Sequence, residues 1–470
     1  MSQCLSLHIS RVGDMMIYEE AFELFSEESP VTVMMRAMLE NVFSAERLDR
    51  LFRDTANRQY EDELLFSTVA DLMGLAVTKV RPSVHAAYQH RRERVAVSIK
   101  AVYDKLNGIE PAVCRALVAR SAGHLGQLIA AMKAELPELL PGYRLRILDG
   151  NHLRRTQRRL KELREINGAP LPGQALVVLD PARMLAIDVF PCEDGHAQER
   201  SLLGPVLETV REGDVWIADR NFCTRGFLCG IAQHHGHFAI RQHGQLPWQP
   251  EGNQKRIGRC ATGVVYEQKA IVTAEDGSPC TFRRITIQLD QPTRDGDTEV
   301  HILSNLPLDI SAKTIANLYL DRWTIEAAFG EIATTLRGEF DTLAYPKAAL
   351  FGFCTALTMY NLLSVVKAAI RAAHRIGNDK LSAYHLADEI AATYRGMMII
   401  LPPPAWRERF AELSIARMAA ALLRLAKQVR PVQFRKHPRG PKKSPVKRFN
   451  KKHRSHVSTK RILDQRTVPS

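Results

Sequence analysis

Three side chains in one short stretch could do phosphate chemistry. Tyr319, Arg322 and Glu326 follow one another at spacings of three and four. At about 100° per residue, that spacing lines a phenol, a guanidinium and a carboxylate along one helix face. A phenol ring can stack on a base, an arginine can fork onto phosphate, and a carboxylate can hold a divalent cation. The ordinary alternative is an i,i+4 Arg–Glu pair with a tyrosine packed above it. The pattern predicts one helix, starting from Ser311 as N-cap and free of Gly and Pro until Gly330.

Two further carboxylates stand upstream. Leu145-Arg146-Ile147-Leu148 reads as a strand ending in Asp149-Gly150-Asn151. Asp214–Ala218 reads as another, ending in Asp219-Arg220-Asn221. In an open α/β sheet, ligands bind beyond the carboxyl ends of strands. If these two strands are neighbours, Asp149 and Asp219 converge. With Glu326 they would suit two Mg²⁺ or Mn²⁺ ions about 3.5–4 Å apart. Such a pair activates one oxygen and stabilises another during phosphodiester transfer. No Cys or His cluster has the spacing that zinc requires. Each acid has a plainer reading as well: Asp149-Gly150 as a turn, Asp219 as a helix N-cap. Asp180 also ends a strand and competes with Asp149, but Pro181 directly after it points to a turn, so Asp149 is preferred.

The elements that must position these acids follow from periodicity. Residues 1–140 read as a helical domain, with segments Pro30–Val42, Ala45–Asn57 and Asp62–Val77, and a helix-turn-helix outline within it makes DNA binding its expected role. A helix near Ser98–Leu106, the Asn107-Gly108 turn signal and a helix near Pro111–Lys133 give the outline of a helix-turn-helix. Any helical bundle gives the same outline. Residues 141–241 alternate strands with helices. They include a basic run, Arg154, Arg155, Arg158 and Arg159, which would neutralise phosphate or form a solvated helix face. A helix is expected over Ala197–Val210. Residues 242–305 turn to alternating β with Gly, Pro and Asp punctuation, a β-rich insertion. Residues 306–375 carry the Glu326 helix and an apolar helix from about Lys347 to Arg371. Residues 376–430 read as further helices.

Charge separates the last segment from the rest. The 470-residue chain holds 65 Lys and Arg against 51 Asp and Glu, a net +14. Fifteen of those basic residues but only one acid lie from Lys427 onward, so the first 426 residues carry fifty of each. The basic segment 431–470, with Pro431, Pro438, Pro441 and Pro445, reads as a mobile tail. Its natural partner is a polyanion; a solubilising role is the plain alternative. No secretory signal and no spanning segment are expected, and eight scattered cysteines without a C-x-x-C pair fit a reducing cytoplasm.

Taken together, the chain resembles bacterial insertion-sequence transposases of the DDE type, in the subgroup marked by Y-x2-R-x3-E-x6-K. Tyr319, Arg322 and Glu326 match its first three positions. Ile217-Ala218-Asp219-Arg220-Asn221-Phe222 is similar to the motif around the second acid, and Leu148-Asp149-Gly150 to the first. The β insertion before the Glu helix also resembles this subgroup. The motif Lys falls on Ala333, a departure; Arg337, roughly on the same face three turns after Glu326, could substitute. The resemblance implies an α/β, ribonuclease-H-like core interrupted by the insertion and flanked by helical regions. It implies two Mg²⁺ or Mn²⁺ ions on Asp149, Asp219 and Glu326, and cut-and-paste transposition through a DNA hairpin. Partners would be terminal inverted repeats and target DNA, bound by a homodimer near the nucleoid, with no membrane. Tyr319 and Arg322 would hold a flipped base and its phosphate, and Trp248 is a candidate assisting aromatic, with local packing as its alternative. Two other readings stay open: a ribonuclease-H-like nuclease, and a decayed or domesticated copy that only binds DNA.

Overall fold

A computed structural model describes residues 18–58, 63–154, 160–164, 168–293, 296–377, 380–437 and 456–466. The chain forms two compact units. One comprises residues 136–152 and 174–330; the other comprises 1–135, 153–173 and 331–470.

The first unit is built on a nine-stranded sheet. Its strands are β1 (Arg144–Leu153), β3 (Gly173–Asp180), β4 (Leu185–Cys192), β5 (Asp214–Ala218), β6 (His237–Arg241), β7 (Gln249–Cys260), β8 (Gly263–Thr273), β9 (Pro279–Leu289) and β10 (Glu299–Ser304); a short β2 (Ala169–Leu171) lies outside it. The spatial order is β4-β3-β1-β5-β6-β10-β9-β8-β7. β1, β5 and β6 run parallel, and β3 with β4 and the β7–β10 meander pair antiparallel. β5 is buried along its whole length, as its apolar run Val215-Trp216-Ile217-Ala218 requires. Trp216, Phe222, Phe227, Phe238 and Phe282 pack into one core on this sheet. The insertion is therefore no separate layer. β10 pairs with β6, so strands β7 to β10 extend the same sheet.

The second unit is helical. Helix Pro30–Val42 has the expected bounds, and Ala45–Thr55 and Phe66–Val77 differ from theirs only by an earlier end and a later start. Helix Pro346–His374 is long and apolar enough, by length and composition alone, to cross a membrane, but its apolar window is wholly buried inside the protein. Helix Pro111–Ala131 packs along it, burying Val113, Leu117, Val118, Leu125 and Leu128. The second half of the expected helix-turn-helix is thus largely committed to the core.

The basic tail differs from its expectation over residues 456–466. A short strand β11 (His456–Ser458) pairs parallel with β2, and helix Thr459–Arg466 follows. Ile462 and Leu463 pack on Leu160, Leu163 and Ala344. The net charge of the segment hid this apolar pair. Residues 438–455 and 467–470 lie outside the described residues.

Candidate active site

β1 and β5 bring the two aspartates side by side. Their parallel register pairs Leu148 with Ala218, and Asp149 and Asp219 are the next residue of each. The expectation that β1 ends at Asp149 is not met: the strand continues to Leu153, and only its pairing with β5 stops at Leu148. Asp219 caps the following one-turn helix, accepting from the Asn221 N–H at 2.5 Å. Its N-cap role and its place beside Asp149 coexist. Asp180 is occupied elsewhere. It is buried, accepts the Ala182 N–H at 3.0 Å, and lies 3.3 Å from Arg146 Nη1 and 3.4 Å from Arg183 Nη1.

The expected single helix from Ser311 is broken. Ser311 does cap it, accepting from Thr314 N at 3.1 Å. Helix Ala312–Leu320 then ends, and a second helix runs over Trp323–Thr335. Between them the N–H groups of Asp321, Arg322, Thr324 and Ile325 bond back three residues, to Leu318, Tyr319, Asp321 and Arg322. This tight turn keeps Tyr319 and Arg322 on one side, as the three-residue period of such a turn demands.

Arg322 gathers the site. Its Nη1 lies 2.8 Å from Glu326 Oε1 and 3.7 Å from Asp149 Oδ2. The charge of this guanidinium also acts on the Tyr319 phenol, opposing the rise that burial causes. Burial opposes the arginine charge, but Tyr319, Glu326 and Asp149 outweigh it and hold its pKa above the ordinary value. Burial pushes Asp149 up to about 7; the Gly150 N–H and Arg322 oppose this, while Asp219 and Glu326 add to it. Burial likewise raises Tyr319 to about 12. The phenol is neutral at neutral pH, and its side chain is buried.

A fourth acid, unforeseen from the sequence, stands here. Residues Glu199–Leu202 form a 3₁₀ turn leading into a short helix, Leu203–Leu207, instead of the expected helix Ala197–Val210. Glu199 is largely buried, and its Oε1 would lie 2.0 Å from a Cβ on Gly150. Burial, then the charge of Asp219, raises its pKa. Only a glycine at 150 leaves room for that carboxylate. The signal in the sequence was Gly150 itself, read there as half of a turn.

Among the described residues no three His, Cys, Asp or Glu side chains close on one point as a formed metal cluster. The Arg322 guanidinium instead bridges two of the acids. The donor set still fits a hard divalent cation: every candidate ligand is a carboxylate, and a positive charge already stands between Asp149 and Glu326.

Trp248 is half-buried on the sheet core, with the Arg284 guanidinium 4.5 Å from its ring centroid. Arg337 lies beyond the end of the Glu326 helix at Thr335, so it does not extend that face; its guanidinium donates to the Pro82 carbonyl. Arg154 is exposed, with its backbone N–H on Glu339 Oε2 at 2.7 Å. Arg155, Arg158 and Arg159 lie outside the described residues.

Residues 141–362 match the family model of the transposase DDE domain. The matched segment covers a little under half of the chain and spans Asp149, Asp219, Tyr319, Arg322 and Glu326. It supports a DDE transposase, and such an enzyme acts on DNA. No curated protein matches the chain.

Proposed function

We propose that this chain is a cut-and-paste DNA transposase of the hairpin-forming insertion-sequence type, with Asp149, Asp219 and Glu326 as its acidic triad. The observation that carries the reading is the meeting of Asp149 and Glu326 on Arg322, with Asp219 one strand away in matched register. A parallel β1-β5-β6 trio with acids beyond its pairing ends supports a ribonuclease-H-like core.

Two Mg²⁺ or Mn²⁺ ions held by the three carboxylates would supply Lewis acidity and an activated oxygen nucleophile. Around them the chain's own residues position DNA. Tyr319 offers a neutral ring and hydroxyl to an unstacked base, and Arg322 forks onto the phosphate beside it. Water attack at phosphorus breaks the P–O3′ bond and frees a 3′-hydroxyl. That hydroxyl attacks the opposite strand, displacing the 3′-hydroxyl of the flanking DNA and closing a hairpin; water reopens the hairpin, and the freed 3′-hydroxyl attacks target DNA and displaces a target 3′-hydroxyl. The basic segment from Lys427 onward adds sequence-independent affinity, and two chains bind the two element ends together.

Incubating the protein with Mg²⁺ and labelled duplexes bearing the element's terminal inverted repeats tests this. A hairpin product on the transposon end is expected. Nicked or linear products alone would assign a nuclease, and binding with no cleavage would assign a decayed, DNA-binding copy, as Ala333 at the motif Lys position would then explain.

A further inference from the structure

The reading above gives Arg322 to phosphate and the acids to metal, yet here one guanidinium serves the acids. Arg322 is 8% exposed, and among the described residues its Nε has no hydrogen-bond partner. Its Nη1 spans Glu326 and Asp149, two like charges that repel each other when ionised. A guanidinium cannot shed its charge in a protein, so it neutralises them permanently while it stays. It also fills the electrostatic position that a divalent ion would take. Arg322 sits in the tight turn between two helices, and its guanidinium also lies 4.6 Å from the ring centroid of Trp323, which is 57% exposed, so that ring reports whether the guanidinium is in place.

We propose that Arg322 is a placeholder cation, holding Asp149 and Glu326 together until a divalent ion displaces it, and that the displaced guanidinium is then free to bind DNA phosphate. Ion binding and DNA binding are thereby coupled through one side chain. A phosphate that captures Arg322 clears the acids, and an ion that evicts Arg322 arms it for phosphate. Coupling of this kind is reciprocal. The inference rests on the metal-site reading of the three acids.

The test is calorimetric titration of Mn²⁺ into the full chain, with and without a mixed-sequence DNA duplex. Wild type, Arg322→Gln, Arg322→Lys and Asp219→Asn are compared. Arg322→Gln removes the competing charge, so it should bind Mn²⁺ alone about tenfold more tightly than wild type and lose most of the tightening that DNA produces. Arg322→Lys, whose ammonium is a single point charge, should fall between them. A purely phosphate-binding arginine would leave Mn²⁺ affinity without DNA unchanged, and that result overturns the proposal. A measurement that leaves Arg322 in place covers the case in which the Arg322 variants fail to fold. Mg²⁺ should alter the Trp323 emission, assigned by difference from Trp323→Phe, as the guanidinium leaves its ring; an unaltered emission overturns the proposal too. Asp219→Asn separates the two levels: if it binds Mn²⁺ as wild type does, the metal-site reading itself is wrong.

Discussion

Glu199 Oε1 rests where a Cβ on residue 150 would be, 2.0 Å from that position, so Gly150 and Glu199 define each other. The blocking atom is the far end of a flexible side chain, and Gly150→Ala should therefore fold. It should cost about 1–2 kcal/mol by forcing the carboxylate from its place beside Asp219 and Asn221. Glu199→Ala in the same background should restore most of that loss. Urea unfolding of both single variants and the double variant measures the coupling. Simple additivity would mean that the contact does not constrain the site.

Asp149 supplies a pH signature. Its carboxyl is raised to about 7 in the fold, against about 4 for an unfolded aspartate. A raised acid contributes stability that is present below the unfolded pKa and is lost as pH rises through the folded one. Wild-type stability should therefore fall, relative to Asp149→Asn, between about pH 4 and pH 7. The slope should approach 1.4 kcal/mol per unit in the middle of that window. Urea midpoints of both proteins in chelator-containing buffer, taken across that range, check this. Parallel pH profiles would show that Asp149 ionises normally.

Asp219→Ala should abolish strand cleavage in Mg²⁺ and, in chelator-containing buffer, leave DNA affinity within about threefold, since removing one acid takes away no group that binds phosphate. Gel-shift and cleavage assays on the same labelled duplex read the two separately. Cleavage that survives the substitution would remove Asp219 from the triad. The Asn221 N–H that it caps is exposed, so the structural cost should be no more than about 1 kcal/mol.

Much of this architecture was legible because periodicity survives in it. Pro30–Val42 and the strands of the insertion follow their three-to-four and two-residue patterns, and Asp149 and Asp219 stand where the pattern of buried strands gives way. The break at Asp321 and Arg322 was not legible. Every residue from Ala312 to Phe329 tolerates a helix, and what accompanies the break is Arg322 reaching Asp149 on another element. Glu199 was hidden for a similar reason, since its neighbours come from β1 and from the turn after β5. Arg337 was misplaced because extrapolating a helix face presumes that the helix continues, and this one stops at Thr335. In the tail, charge and proline content outweighed two apolar residues, Ile462 and Leu463, that carry its docking.

The tail's two parts should separate experimentally. Eight Lys and Arg lie between Arg439 and Arg454 with no acid among them, while residues 456–466 dock through Ile462 and Leu463. Replacing those eight by Gln removes charge without touching the docked strand and helix. Affinity for mixed-sequence DNA should fall, and the slope of log K against log salt should become shallower by about 0.9 for each phosphate that is no longer neutralised. Thermal stability should stay within about 0.5 kcal/mol. Leu463→Ala should do the reverse: a loss of about 1–3 kcal/mol in the local stability of 456–466, read by hydrogen exchange, with the salt slope unchanged. An unaltered salt slope in the eightfold variant would assign the segment to solubility rather than to DNA.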